Sequence, residues 1–282
     1  MLDILGMPLA GAAHAGAIDD LIGYMHWLML VIFVGWGAFY LYLLFRFSKA
    51  RHPRADYHGT EAKLSKVVEA AIVLVEVILL VGFSIPFWAQ AVDKLPPENE
   101  ALTVRVVAET FKWNFHYAGA DGKFGKTDVN LIDSQSNFLG LDPSDPNGKD
   151  DIVVRDRMYL PVGKPVILKI SSKDVIHSFG VMSMRLKQDA IPGMVVPIWF
   201  KPTVTTEEMR QKIGKVTVKT NVLEGDKIVE KFEARDFDYE IACSQLCGSG
   251  HAKMRGTLEV MDQAGFDKKM AELGQAAGKD EW

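Results

Sequence analysis

Two long apolar runs open the chain, and nothing like them follows. The first runs roughly from Ile22 to Phe45 and the second roughly from Val67 to Ala89. Each reaches the about 20 residues that a helix needs to cross a bilayer. A core helix of a soluble domain seldom stays apolar on every face for so long. Tyr24, Trp27, Tyr42, Phe87 and Trp88 near the run ends fit an interfacial aromatic belt. The pattern predicts a two-helix transmembrane hairpin within an N-terminal region of residues 1–92.

Charge then orients the hairpin. Arg46, Lys49, Arg51, Arg54, Lys63 and Lys66 lie between the runs, whereas residues 1–20 contain no lysine or arginine. By the positive-inside rule the connection is cytoplasmic and both termini face outward. The first residues lack the basic start of a signal peptide, so no cleaved one is expected.

After the second run the period changes. The paired prolines of "DKLPPENE" (93–100) stop the helix and begin a linker. Short runs of β-branched and aromatic residues follow at Leu102–Ala108, Trp113–Tyr117, Ile152–Leu160, Pro165–Ser171, Tyr239–Ala242 and Gly256–Val260. Turn chemistry such as "LDPSDPNGKDD" (141–151) punctuates them. This predicts a Greek-key β-sandwich or barrel over 101–262. Residues 204–235 read as a polar, charge-mixed insertion, with a helical turn or two over Thr205–Lys212 and a hairpin about Glu224-Gly225-Asp226. The tail, 263–282, has helical spacing. A net charge of −4 and a pI near 6 argue against nucleic acid as a partner.

Both cysteines of the chain sit in "CSQLCGSGHAKM", residues 243–254. On the outer side of a membrane a disulfide is the default for such a pair. A disulfide, however, asks nothing of the residues downstream. Here the order is Cys-x3-Cys-x3-His-x2-Met, and thiolate, imidazole and thioether together are the ligands that select copper for electron transfer. Gly248 and Gly250 let the backbone fold several ligands around one centre. Two thiolates so spaced could bridge two ions, whereas one copper with one thiolate leaves a cysteine idle. Further ligands must come from elsewhere, and His177 in "DVIHSFGV" is the candidate.

Taken together, these features resemble subunit II of a haem–copper cytochrome c oxidase, the subunit that carries the binuclear CuA centre. The residues that carry the resemblance are the helix hairpin, "HSF" followed by "KQDAIPG", "WFKPT" at 199–203, and "CSQLCGSGHAKM". It spans about residues 20–262 and implies a membrane-anchored, all-β, cupredoxin-like head. It implies His177, Cys243, the Gln245 carbonyl, Cys247, His251 and Met254 as copper ligands, with both cysteines bridging and one histidine on each copper. It further implies a bacterial inner membrane with the head on the periplasmic side. The implied partners are subunit I, the other oxidase subunits, the lipid bilayer and a c-type cytochrome or similar donor. Electrons pass to haem in subunit I, where oxygen is reduced to water with proton translocation.

The chain departs from the family in places. Gln245 stands where glutamate is common, which keeps the carbonyl but puts in doubt the magnesium that the carboxylate holds at the subunit I border. In "TFKWNFHY" Phe111 occupies the position of the tryptophan that receives electrons, and Trp113 that of the second tryptophan. Glu69 and Glu76, ionisable groups within the second apolar run, are proton-route candidates. Asp174 and Asp189 are candidates for donor docking. No Cys-x-x-Cys-His is present for a c-type haem. The rival readings are a membrane-anchored copper chaperone of the thiol type, a head with a plain disulfide, and a CuA subunit of a nitric oxide reductase.

Overall fold

The computed structural model describes residues 6–54, 57, 63–92, 94–224 and 227–277. The chain divides into two compact units, one holding residues 16–90 and the other residues 8–15 together with the chain from Ala91 onward.

The first unit is the apolar pair. Helix α1 spans Ala15–Arg46, and the second run forms α2 (Lys63–Leu79), a five-residue π-helical turn (Leu80–Ser84) and α3 (Ile85–Val92). Pro86 accounts for the wide turn: it has no amide hydrogen for the preceding turn, and its ring crowds the carbonyl there. Ser84 Oγ donates to the Leu79 carbonyl at 3.3 Å, which helps satisfy the loosened backbone. Tyr24, near the start of α1, meets Phe83, near the end of the second run, edge-on at 6.2 Å. The helices therefore run antiparallel. Both segments are long and apolar enough to cross a membrane, and large apolar side chains such as Phe33, Leu41, Leu64 and Trp88 are exposed along them. That surface belongs in lipid, and the protein is membrane-anchored.

The second unit is the head, built from two five-stranded sheets. One holds β1 (Leu102–Glu109), β2 (Lys112–Tyr117), β3 (Ile152–Arg155), β5 (Val166–Ser172) and β8 (Val196–Phe200), in the order β3-β2-β1-β5-β8. The other holds β4 (Arg157–Pro161), β6 (His177–Val181), β7 (Leu186–Ala190), β11 (Tyr239–Cys243) and β12 (Arg255–Met261), in the order β4-β12-β11-β6-β7. β1 with β5 and β4 with β12 pair in parallel; the other neighbours are antiparallel. This is a cupredoxin-like sandwich. Its core is lined by Trp113, Phe115, Tyr117, Met158, Leu160, Leu168, Ile170, Phe179 and Tyr239, all at most 2% exposed.

The run expected as one strand, Ile152–Leu160, is two strands in different sheets. Asp156 separates them with φ 55°, a left-handed conformation that aspartate tolerates. Its Oδ1 accepts from Trp113 N at 2.9 Å, so the corner is tied to β2 as the chain changes sheets. Strands β6, β7 and β8 had no clear signal in the sequence. All five residues of β6 are buried, which removes the alternation that marks a half-exposed strand.

The insertion has the expected parts. Helix α4 (Thr206–Ile213) starts on a capping box between Thr205 and Glu208, and Thr206 Oγ1 accepts from Val260 N at 2.8 Å. Strands β9 (Lys215–Glu224) and β10 (Lys227–Asp236) form a hairpin with Glu224 opposite Lys227; Gly225 and Asp226 of the expected turn lie outside the described residues. Helix α5 (Gln263–Ala277) packs on β3 and β4 and buries Phe266; residues 278–282 of the tail lie outside the described residues.

One boundary differs from the expectation that residues 1–92 form a single region. Residues 8–15 belong to the head. Gly11 N donates to Ser183 O at 2.8 Å, Thr203 N to Gly11 O at 2.9 Å and Ala13 N to Lys201 O at 3.0 Å, with Ala12 bridged to Pro202. The small side chains permit the approach: a Cβ on Gly11 would sit 2.9 Å from the Tyr239 hydroxyl.

Candidate metal centre

The centre lies where β6 begins and β11 ends. β11 pairs antiparallel with β6, Cys243 opposite Phe179. Ser244 N donates to Ser178 O at 2.8 Å and extends the register towards His177. The chain leaves β11 at Cys243, loops through Cys247, turns once in a 3-10 helix over His251–Lys253 and reaches β12 just after Met254. Cys243 N donates to Met254 O at 3.2 Å, closing the loop between its first and last functional side chains.

The six groups expected as ligands come together. Cys243 Sγ is 3.8 Å from Cys247 Sγ, 3.9 Å from His177 Nδ1 and 3.1 Å from the Gln245 carbonyl. Cys247 Sγ is 3.6 Å from His251 Nδ1 and 3.8 Å from Met254 Sδ. His177, Cys243 and Cys247 are buried and offer donor atoms that all lie within 4.8 Å of one another. Metal–donor bonds of about 2.0–2.3 Å at tetrahedral angles put donors about 3.5 Å apart, so the spacing suits shared ions. It does not suit a disulfide, whose sulfurs lie about 2.05 Å apart; both thiols are free. Burial, and then the adjacent Cys243, push the Cys247 thiol up from its ordinary range. A bound cation would supply the positive charge that the two sulfurs lack.

The tautomer of His177 follows from its other nitrogen. Nε2 lies 2.9 Å from Asp174 Oδ1. Donation there leaves the Nδ1 lone pair facing Cys243, the carboxylate–histidine arrangement that orients metal-ligating imidazoles. Asp174 Oδ1 also accepts from Val175 N at 2.7 Å, while Oδ2 accepts from Thr110 N at 2.7 Å and from the Thr110 hydroxyl. Partial burial pushes this carboxyl up, but the hydrogen bonds from Thr110, His177 and Val175 outweigh it and hold it well below the usual carboxylate range.

The other candidates fall in different places. Trp113 is fully enclosed, edge-on to His177 at 6.3 Å and to Phe179 at 5.4 Å, and its indole N–H finds no acceptor among the described residues. Phe111 is half-buried, and its ring lies on the cysteine loop. A Cβ on Gly250 would meet that ring at 2.3 Å and one on Gly248 at 3.2 Å. Gly248 also has φ +133°, so both glycines have a local reason. Asp189 is exposed on β7, opposite Ser178. Asp174, expected at a docking face, has both oxygens engaged by the head. Glu69 and Glu76 are exposed on α2. Sequence reasoning missed Thr110; the Asp-x-x-His spacing of Asp174 and His177 was the one visible hint of the bonded pair behind the site.

Comparison with known proteins bears on the same chain. Residues 102–209 match the family model described as cytochrome c oxidase subunit II, periplasmic domain, a match that stops short of the cysteine loop. The "Alternative cytochrome c oxidase subunit 2" of Bradyrhizobium diazoefficiens is 29% identical over 269 residues, covering 95% of this chain and 84% of the relative. The "Heme-copper oxidase subunit 2" of Aeropyrum pernix is 23% identical over 239 residues, 81% of this chain and 78% of the relative. Among solved structures, the periplasmic domain of subunit II (CoxB) of Bradyrhizobium japonicum aligns with a TM-score of 0.39 at 23% identity, over 64% of this chain and 98% of that one.

Proposed function

Because the chain belongs to the cytochrome c oxidase subunit II family, we propose that its head holds a binuclear copper centre through which electrons reach the oxidase. The observation that carries this reading is a pairing. Each thiol has its own imidazole, at 3.9 and 3.6 Å, and the two thiols lie 3.8 Å apart. A single ion can take two thiols and two imidazoles, but among the described residues the donors that lie within 4.8 Å of one another are those of His177, Cys243 and Cys247, and His251 is not among them. Cys243 and Cys247 would bridge, His177 and His251 would take one copper each, and Met254 and the Gln245 carbonyl would be the weaker ligands. A thiolate-bridged copper pair supplies one-electron transfer when bound. The residues hold its ligands rigid before it binds, fix the His177 tautomer and keep water from the sulfurs. Gln245 is assigned its carbonyl alone, and no magnesium ligand.

The donor is a c-type cytochrome or similar carrier outside the membrane; the acceptor is haem in subunit I, where oxygen is reduced to water with proton translocation. This chain does no bond chemistry on oxygen itself. Val175, Ile176 and Leu246 are 44%, 46% and 79% exposed beside the ligands, an apolar surface suited to a neighbouring oxidase subunit. Phe111 reaches the surface and Trp113 does not, so Phe111 is assigned the outer position for arriving electrons. Glu76 is assigned to packing against subunit I, and Glu69 remains the candidate for a proton route. The attachment of residues 8–15 to the head supports an N-terminus on the head's side of a bacterial inner membrane, with the basic connection cytoplasmic.

Electron paramagnetic resonance and absorption of the copper-loaded full chain test the reading. A purple, mixed-valence species with hyperfine splitting from two coppers is expected. Colourless protein with no free thiols would overturn it. The proteins that copurify from detergent extracts distinguish an oxygen-reducing partner from a nitric oxide reductase.

A further inference from the structure

The two ligand-bearing segments are far apart in sequence and arrive from different strands. One residue pair touches the support of both. Thr110 and Phe111 form the turn between β1 and β2, and each has a partner behind a different part of the centre. Thr110 gives its amide, at 2.7 Å, and its hydroxyl to Asp174 Oδ2. Asp174 Oδ1 in turn holds His177 Nε2 at 2.9 Å. The next side chain, Phe111, lies across the cysteine loop so closely that a Cβ on Gly250 would sit 2.3 Å from Cδ2, 2.5 Å from Cε2 and 2.6 Å from Cγ of its ring. Gly250 has φ −92° and ψ 5°, which any residue can adopt. Its lack of a side chain is therefore set by Phe111 and not by its own backbone. Trp113, two residues after Phe111 in β2, stands with its indole edge-on to His177 at 6.3 Å.

We propose that the Thr110–Phe111 turn is a positioning clamp for the metal centre: Thr110 sets the His177 ring through Asp174, and Phe111 seats the cysteine loop through Gly250 and Gly248. Neither residue is a ligand; each acts through another group. The clamp gives the chain a ligand geometry in place before metal arrives. Ordering two loops at the moment of binding would weaken metal affinity, and groups behind a first ligand shell are worth about 10–100-fold in metal affinity. The clamp rests on the copper reading for its purpose, but its contacts belong to the metal-free chain and are testable there.

The test uses the full chain in detergent, first without metal and then loaded with copper. In the metal-free chain, nitrogen NMR of the histidine rings reads the His177 tautomer, and the rate of reaction with a chromogenic disulfide reads the seating of Cys243 and Cys247. Thr110→Val removes the hydroxyl but keeps the amide; it should mix the His177 tautomers while leaving thiol labelling at the wild-type rate. Thr110→Ser should restore the single tautomer. Phe111→Ala should speed thiol labelling about tenfold without changing the tautomer. Gly250→Ala should do the same, because its methyl group drives the ring off the loop. The double variant Gly250→Ala/Phe111→Ala should label no faster than the faster single variant, since the two changes break one contact. With copper, Thr110→Val and Phe111→Ala should each hold the metal about 10–100-fold more weakly in competition with a chelator, and Thr110→Val should alter the hyperfine pattern. An unchanged tautomer in Thr110→Val, or additive effects of Gly250→Ala and Phe111→Ala, would overturn the clamp. A wild-type chain that takes up no copper overturns the copper reading instead, and the two metal-free measurements still decide the clamp.

Discussion

Two histidines of the head are buried against an aspartate, and the chain uses them for different ends. His177 is 0% exposed with Nε2 2.9 Å from Asp174, and its Nδ1 faces the Cys243 sulfur at 3.9 Å. His116 is 1% exposed with Nε2 2.6 Å from Asp151. Asp151 Oδ2 also accepts from Gly125 N at 2.8 Å, and Phe124 stands edge-on to the His116 ring at 4.9 Å. Arg105 covers the other face of this group, its guanidinium 4.2 Å from the Phe124 centroid and one nitrogen 3.3 Å from Gly125 O. The second pair is sealed and pins the long loop of residues 118–151 to β2. Burial beside a carboxylate is thus not what makes a ligand. What matters is the group that the other ring nitrogen faces, and His177 turns its Nδ1 to the Cys243 sulfur.

Substituting the two histidines should separate these roles most sharply. His177→Ala is expected to abolish the binuclear copper signal, as are Cys247→Ser and His251→Ala, with the membrane anchors unaffected. His116→Ala should leave the loaded spectrum unchanged. Its cost falls on stability: Asp151 keeps the Gly125 amide but loses its imidazole partner, and a buried polar group left short of a partner costs about 1–3 kcal/mol. Urea unfolding followed by tryptophan fluorescence measures that loss. A His116→Ala chain as stable as wild type would show that the loop is held by Arg105 and Phe124 alone.

The contrast also shows what a sequence carries. The cysteine stretch was legible because its donors are of rare types in one short segment, so their identity alone names soft-metal chemistry. The membrane hairpin was legible because lipid imposes length and uniform apolarity. His177 was a candidate because the cysteine stretch needs ligands from elsewhere, and the resemblance then placed it in the ligand set; a lone histidine at the start of a strand has no local mark. The His116–Asp151 pair was invisible, since its partners are 35 residues apart across a loop without periodicity. Thr110 was invisible for a similar reason, being 64 residues from the aspartate it holds. The change of sheet at Asp156 and the attachment of residues 8–15 depend on backbone contacts, which small residues permit but do not announce.

An intermediate effect is expected at the aspartate of the first pair. Asp174→Asn keeps the shape but exchanges a charged acceptor for a neutral amide, so the His177 ring is held less firmly. Copper affinity should fall about tenfold, within the range for such supporting groups, while the unfolding midpoint moves little because the side chain is 35% exposed. Competition with a copper chelator measures it. A loss as complete as that of His177→Ala would mean that Asp174 does more than orient the ring.

The smallest effect concerns Glu109, next to Thr110. Its carboxylate meets Lys173 and Arg155, and those two cations reach Phe138: Lys173 Nζ lies 2.7 Å from its carbonyl and the Arg155 guanidinium 3.9 Å from its ring centroid. Burial pushes the Glu109 carboxyl up, but hydrogen bonds from Lys173, Arg155 and Asn114 outweigh it and leave it below its ordinary value. A carboxyl depressed in the folded chain contributes stability above its unfolded pKa of about 4.3. That contribution is lost as pH falls through the lower, folded value. Glu109→Gln removes this titration. The variant should be slightly less stable than wild type at neutral pH, by no more than about 1 kcal/mol for a partly exposed pair. The two stability curves should converge as the pH drops below about 4. Urea midpoints measured across that acid range check the sign: curves that stay parallel would show that the folded chain leaves the Glu109 carboxyl at its ordinary value, and that the two cations are held by Phe138 instead.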